Sequence, residues 1–181
     1  MTFKRVFTGV LYTLLIVCIA VMICKFADSK KMDVAEMIPY RTEQELIVKS
    51  DLIITGKVER IGESKWSNPD LKPAEKRNVL QTDIYVMIGE LLCGEYSEEY
   101  VAVRIDKDGG YPEFKLGEEV VLFLSRDDSD VATDEDYFVL TGMRQGKWNI
   151  ADERITSADY GTKEISQTLA ELKEKIVENK K

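Results

Sequence analysis

Polar residues interrupt the apolar ones along most of this chain, but one short run is apolar throughout. Val120 to Leu124 is a succession of five apolar residues, with Glu118-Glu119 before it and a polar segment from Ser125 after it. β-Branched and aromatic residues predominate in this run, as they do in strands buried on both faces. We therefore predict that it forms the central strand of a barrel or a sandwich, with the other strands around it.

Five further segments have strand patterns. In Leu52 to Glu59, apolar and polar residues alternate, which predicts a strand with one face in solvent. The same alternation runs through Val79 to Leu92 until it shifts beyond Gly89, where we predict a β-bulge. The other predicted strands are Val101–Ile105, with Arg104 facing outward, Tyr137–Leu140 and Lys147–Ile150.

Helix signals lie on both sides of these strands. Thr42 and Glu45 have the spacing of a capping box, which predicts a short helix from Glu43 to about Lys49. Thr162 is the predicted N-cap of a second helix, after an irregular segment at residues 152–161. An apolar stripe on that helix consists of Ile165, Leu169, Leu172 and Ile176. We expect the stripe to pack on the protein's own core, and docking on a partner is the alternative.

The N-terminal segment from Val6 to Cys24 contains no charged residue. A helix of these 19 residues would be about 28 Å long, close to the hydrocarbon thickness of a bilayer, about 30 Å. The length favours an uncleaved transmembrane anchor over a cleavable signal peptide, whose apolar core is shorter. A buried soluble helix is a third interpretation. Because Lys4 and Arg5 precede the segment, we predict a single-pass protein of the cell membrane with its body on the extracytoplasmic side.

Charge is distributed unevenly along the chain. Residues 1–31 contain five Lys and Arg and one Asp, so the totals of 25 basic and 33 acidic residues leave 20 and 32 for the rest. A body this acidic repels nucleic acid, because phosphate binding depends on Lys and Arg. The chain has no His, and of its three Cys only Cys93 lies in the body. Zinc sites of the usual Cys/His kind, imidazole-dependent catalysis and an intradomain disulfide are therefore excluded.

Four segments carry a resemblance to a known family: Ser50–Val58, Gly89–Gly94, Phe114–Leu124 and Gln145–Trp148. Together they resemble small, mostly uncharacterised bacterial extracytoplasmic proteins with an N-terminal signal or anchor. The resemblance covers roughly residues 42–150 and implies a small closed β-barrel similar to the OB-fold, distantly like the netrin-like domain of metalloproteinase inhibitors. This chain lacks the disulfide-fixed N-terminal cysteine through which those inhibitors act. The resemblance therefore implies a fold and a location, and no site.

Pattern and resemblance together predict a mainly β protein. Its body would be a small closed OB-like β-barrel of five to six strands with a short N-terminal helix and a C-terminal amphipathic helix, preceded by a transmembrane helix. The predicted divisions are a membrane anchor or signal peptide at residues 1–31, a tether at 32–41, the barrel at 42–150, and a linker with the C-terminal helix at 151–181.

The candidate binding residues lie in two loops that an OB-like barrel brings together at a binding mouth, those after its first and fourth strands. Here the loops are residues 62–78 and 126–136. Their candidate ligand-binding residues are Lys65, Trp66, Lys76 and Arg77 in the first, and Asp127, Asp128, Asp130 and Asp134 in the second. Trp66 would supply a flat apolar platform, and the carboxylates would attract amines or a cation. The alternative is simple attraction between two solvated loops, worth about 0–1 kcal/mol for each exposed ion pair.

Metal binding and catalysis are weaker hypotheses. The acidic loop has the oxygen ligands that calcium prefers but lacks EF-hand spacing, so we predict no metal site and no cofactor. A glycosidase needs two positioned carboxylates, and among 32 acidic residues such a pair has no diagnostic value. We predict no catalytic residue. The predicted function is a membrane-tethered extracytoplasmic module that binds an envelope protein or peptide; the alternative is a carboxylate-dependent hydrolase acting on cell-envelope material.

Overall fold

The computed structural model describes residues 41–68, 70–71, 78–107, 109–127, 136–157 and 165–180. The strands are β1 (Leu52–Ile61), β2 (Lys65–Trp66), β3 (Leu80–Cys93), β4 (Tyr100–Asp106), β5 (Glu119–Arg126), β6 (Phe138–Leu140), β7 (Lys147–Ala151), β8 (Arg154–Ser157) and β9 (Ser166–Thr168). The helices are α1 (Glu43–Lys49) and α2 (Leu169–Asn179), and a 3₁₀ turn spans Met143–Gly146.

Five of these strands close into a barrel. Around the barrel their order is β1, β3, β4, β6 and β5, and β5 pairs again with β1. Neighbouring strands are antiparallel except β4 and β6, which run parallel and meet at Val103 and Phe138. The protein is therefore mainly β, with a closed five-stranded barrel and two helices.

The predicted central strand lies where the sequence places it. All five residues from Val120 to Leu124 are fully buried. The strand β5 pairs with β1 along one edge, and with β7 and then β6 along the other. Because side chains alternate across a strand, Val120, Leu122 and Leu124 point into the barrel, while Val121 and Phe123 point to its outside. The prediction of a strand buried on both faces is confirmed.

A second core covers the outside of β1 and β5. It joins Ile53, Val121, Phe123 and Trp148 to residues of the two helices, Leu46, Ile47, Leu172 and Ile176. The first part of β1 is consequently buried on both faces, since Ile53 and Ile54 are both inaccessible. The expectation of a half-solvated β1 is wrong for this part, because it did not include a helical layer on the outer face.

The two helices are also joined to each other by polar contacts. Lys175 Nζ lies 2.8 Å from Glu43 Oε2, and Gln167 bonds to both of these residues. At the end of the described chain, Lys180 Nζ donates to the Ser50 carbonyl oxygen at 2.6 Å. The C-terminal helix therefore packs on the protein's own core and on α1, as expected for its apolar stripe.

The C-terminal part of the sheet extends beyond its predicted end. β8 and β9 continue from β7 in antiparallel pairs, whereas we expected irregular chain at residues 152–161. The helix α2 begins at Leu169 and is capped by Thr168, whose hydroxyl accepts from the Glu171 N–H. The prediction that Thr162 caps this helix is wrong. Thr162 lies outside the described residues, and the chain just before the helix is strand.

Two other local predictions agree with the structure. Both capping-box hydrogen bonds between Thr42 and Glu45 are present at the start of α1. The predicted bulge in β3 is confirmed, because Gly89 has no partner in the register between Ile88 and Glu90. Opposite this bulge Gly56 lies so close to β3 that an added Cβ would be 2.6 Å from the Met87 carbonyl oxygen.

The N-terminal apolar segment, Val6 to Cys24, lies outside the described residues. Within the described parts, neither α1 nor α2 has the length and apolar character that a membrane crossing requires.

Candidate functional site

The outer face of β3 and β4 carries polar residues, whereas Ile53, Val121 and Phe123 form an apolar patch on the outer face of β1 and β5. Ile84 and Val86 point into the barrel, so the alternation of side chains directs Gln81 and Asp83 outward. The register between the two strands pairs Asp83 with Arg104 and Gln81 with Asp106. Four polar side chains therefore lie together on one surface of the barrel.

Arg104 is at the centre of this surface. Its Nε and Nη2 donate to the two carboxylate oxygens of Asp83 at 2.7 and 2.9 Å, a bidentate ion pair. The side chains are only 9% and 20% exposed, so little water screens the pair. Arg104 does face outward as predicted, but it is buried because the ring of Tyr137 covers its guanidinium at 3.9 Å.

The network continues from Tyr137 to the acidic loop. The Tyr137 hydroxyl donates to Asp127 Oδ2 at 2.6 Å. Asp127 is the first acidic residue of the segment that connects β5 and β6, so the contacts link this loop to the Asp83–Arg104 pair. The outer face of β3 and β4 is therefore tied to one of the two loops that the sequence indicates.

On the other side of the Asp83–Arg104 pair lies a small pocket of about 100 Å³. It is lined by Trp66 and Lys65 of β2, by Gln81 and Asp83 of β3, and by Arg104. β2 holds Lys65 and Trp66 there because it pairs with Gln81 and Leu80 of β3. The Trp66 side chain keeps 39% of its surface exposed. We call the surface formed by Lys65, Trp66, Gln81, Asp83, Arg104, Tyr137 and Asp127 the β3–β4 surface.

Two groups beside this surface have shifted pKa values. Burial raises the pKa of Asp106, the Asp127 charge adds to that effect, and a hydrogen bond from Gln81 opposes it. Burial also raises the pKa of Tyr111 to about 12, with Asp106 and Asp127 as smaller causes. Asp106, Asp127 and Tyr111 are therefore close enough to interact electrostatically. At neutral pH the Tyr111 hydroxyl is protonated.

The β3–β4 surface combines one exposed aromatic ring with several polar groups. Its exposed ring offers an apolar plane, and its amide, carboxylate and guanidinium groups offer donors and acceptors around it. Within the described ranges, no three carboxylate or thiol side chains come together in a group that could hold a metal ion.

The structure brings together some of the predicted site residues. Lys65 and Trp66 line the pocket, and Asp127 belongs to the same surface through Tyr137. The remaining predicted residues lie outside the described parts of the chain: Lys76, Arg77, Asp128, Asp130 and Asp134. The long connection after β1 also contains the strand β2, where the sequence analysis predicted none.

Gln81, Asp83, Arg104 and Tyr137 are absent from the sequence-derived site. The alternation in β3 and β4 already placed the first three on the outer face. Their mutual contacts depend on the register between the two strands, which the hydrophobic pattern of each strand does not specify alone. One sequence signal could have indicated the Asp83–Arg104 pair: an acid and an arginine at outward positions of consecutive predicted strands.

No protein-family model matches this chain, and a search of curated proteins returns no match either.

Proposed function

We propose that this protein is a binding module, and that its ligand docks on the β3–β4 surface. The observation that carries the proposal is the continuity of this surface: an exposed tryptophan, a buried bidentate ion pair, and Asp127 joined to that pair through Tyr137. An exposed aromatic ring next to a fixed arginine is typical of binding surfaces, where Trp, Tyr and Arg contribute much of the binding energy.

The order of the barrel strands supports an OB-like interpretation. Without the two-residue β2, the barrel has five strands whose third and fifth members run parallel and whose fourth pairs with the first. OB-folds are five-stranded Greek-key barrels that bind ligands on their second and third strands, with help from the loops after strands one and four. Those strands correspond to β3 and β4 here, and those loops contain Trp66 and Asp127.

We further propose that the module is tethered on the extracytoplasmic side of the cell membrane. The support is the 19-residue uncharged segment from Val6 to Cys24, preceded by Lys4 and Arg5. A module held in this position would meet proteins and peptides of the cell envelope, and these are the proposed ligand class. The acidic body argues against nucleic acid as the ligand.

Site-specific crosslinking in cells tests the proposal. A photoreactive amino acid replaces Lys65 in one full-length variant and Val177 in a control, because Val177 is 61% exposed on α2 and lies outside the β3–β4 surface. We expect one envelope protein or peptide to crosslink at position 65 and not at 177. Adding Trp66→Ala should abolish that crosslink. Equal crosslinking from both positions, or no effect of Trp66→Ala, would contradict the proposal.

A hydrolase is the second candidate, and one observation favours it. Asp106 has a raised pKa and interacts with the Asp127 carboxylate, as the acid of a carboxylate pair would. Neither residue lines the pocket that contains Trp66. Incubating the protein with purified envelope glycan distinguishes the candidates. A hydrolase releases reducing ends and loses this activity in Asp106→Asn, whereas a binding module releases none.

A further inference from the structure

A second cavity, larger than the pocket at Trp66, lies beside β7. Its volume is about 580 Å³, within the range of small-molecule sites. One wall is the segment between β4 and β5, including Tyr111 and Lys115, and the other is β7 with the preceding 3₁₀ turn. The side chains of Lys147 and Asn149 line it, because they project from β7 opposite to the buried Trp148.

Lys147 gives this cavity a fixed buried charge. The side chain is 6% exposed, and its ammonium group lies 2.8 Å from Glu118 Oε1 and 2.7 Å from the Glu113 carbonyl oxygen. The Phe114 ring, part of the barrel core, lies 4.8 Å away and holds the side chain in place. An ammonium group has three donors, and two of them are used by these oxygens. The third can donate to a ligand in the cavity.

Three positively charged and two negatively charged side chains line the cavity. Lys115, Arg144 and Lys147 carry positive charge, against the carboxylates of Glu113 and Glu118. Because Glu118 pairs with Lys147, the remaining charges favour an anion, although the body as a whole is strongly acidic.

Two neutral side chains add to the donor set. The Asn149 amide lines the same cavity, as does Tyr111, whose phenol is protonated at neutral pH. A phenol that does not ionise can donate a hydrogen bond to an anion without repelling it. This cavity therefore contains an ammonium group held in a fixed position and several other neutral and charged donors.

We propose that this cavity is a second binding site, for a small molecule with a carboxylate or phosphate group that Lys147 and Asn149 contact. The cavity shares no lining residue with the pocket at Trp66. The module would then bind a small oxyanion compound at one site and a macromolecule at another.

Calorimetric titration of the full-length protein in detergent, at physiological ionic strength, tests this site. Citrate and inorganic phosphate are the probes, and the salt screens weak attraction to surface charges. Binding of citrate alone identifies a carboxylate site, binding of phosphate alone a phosphate site, and binding of both a general oxyanion site. If neither probe releases or absorbs binding heat, the proposal is wrong.

Variants show whether a bound probe occupies this cavity. Asn149→Asp places a negative charge in it with little change of shape, and should weaken binding by about tenfold or more. Lys115→Gln should weaken binding by about threefold, while Lys57→Gln, an equal charge change outside the cavity, should leave it unchanged. Equal losses in the two lysine variants, or full binding by Asn149→Asp, would overturn the proposal.

A last variant separates this proposal from the proposed function. Trp66→Ala should leave oxyanion binding intact, because Trp66 lies in the other pocket. Loss of the crosslink with retained oxyanion binding supports two separate sites, whereas loss of both in a folded variant overturns their independence.

Discussion

The two halves of the barrel wall bury their inner faces in the same way and differ in their outer faces. Outside β1 and β5, apolar residues such as Ile53 and Phe123 pack under α1 and α2. Outside β3 and β4, the corresponding positions hold Asp83 and Arg104, and neither helix covers them. Packing inside the barrel therefore explains the residues on only one face of each strand. The residues on the other face decide whether that half is covered by the protein's own helices.

The largest expected effect compares the two tryptophans. Trp148 is 1% exposed in the helix-covered core and packs against Phe123, so Trp148→Ala should lower the free energy of unfolding by about 3–5 kcal/mol. Trp66→Ala should lower it by less, about 1–2 kcal/mol, because 39% of that residue is exposed. Urea unfolding followed by circular dichroism measures both. Similar losses in the two variants would mean that the β3–β4 surface is structural rather than functional.

The next effect concerns the ion pair on the polar side. Asp83→Leu leaves the Arg104 charge buried without its carboxylate, and should cost about 2–4 kcal/mol, less than a fully buried pair because Asp83 keeps 20% exposure. The double variant Asp83→Leu with Arg104→Met removes both charges and should recover most of this stability. The same unfolding measurement applies. If the double variant does not regain stability, the ion pair itself stabilises the barrel.

A smaller effect is expected where α2 begins. Thr168→Ala removes the hydroxyl that accepts from the Glu171 N–H and should cost about 1 kcal/mol. Thr168→Ser keeps the cap and is the matched control. If both variants lose equal stability, the side-chain methyl contact of Thr168, and not the cap, is responsible. Thermal unfolding of the two variants beside the native protein measures the difference.

The smallest effect is pH-dependent and concerns Asp106. Its raised pKa means that the folded state holds the proton more tightly than the unfolded state, so stability falls as pH rises from the unfolded pKa, about 3.9, through the folded pKa. Asp106→Asn should remove this fall and be slightly more stable than the native protein at neutral pH. Unfolding curves between pH 3 and pH 7 test it. A fall of the same size in the variant would assign the pH dependence to other carboxylates.

The sequence was informative where one short segment contains the whole signal. The run from Val120 to Leu124 has no polar residue, and no arrangement of the other strands could give it a solvent face. The Thr168–Glu171 spacing was an equally local signal, a complete capping box that Thr162 lacks because Ile165 stands at its third position. The complete capping box favours a helix start at Leu169 over a start after Thr162.

Local sequence patterns could not predict contacts between distant segments. The strand β2 exists because Lys65 and Trp66 pair with β3, and two residues are too few to carry a strand pattern of their own. The contact of Arg104 with Asp83 and Tyr137 depends on register and on the return of the chain after β5. In the candidate site, the sequence could therefore indicate Trp66 and Asp127 but not the residues that connect them.

The contacts between α1 and α2 bring the first and last parts of the described chain close together. Glu43 at its start is bonded to Lys175 near its end, and Lys180 reaches back to Ser50. Both ends of the described chain therefore lie beside α1, Arg41 at its start and Lys180 at its end, and ends this close tolerate circular permutation and insertion into a host protein. A short linker from Lys180 to Arg41 would close the ring, and new ends could be opened at a surface turn such as Asp152-Glu153. The barrel could thus be carried as a cassette inside another chain while both of its proposed sites stay intact.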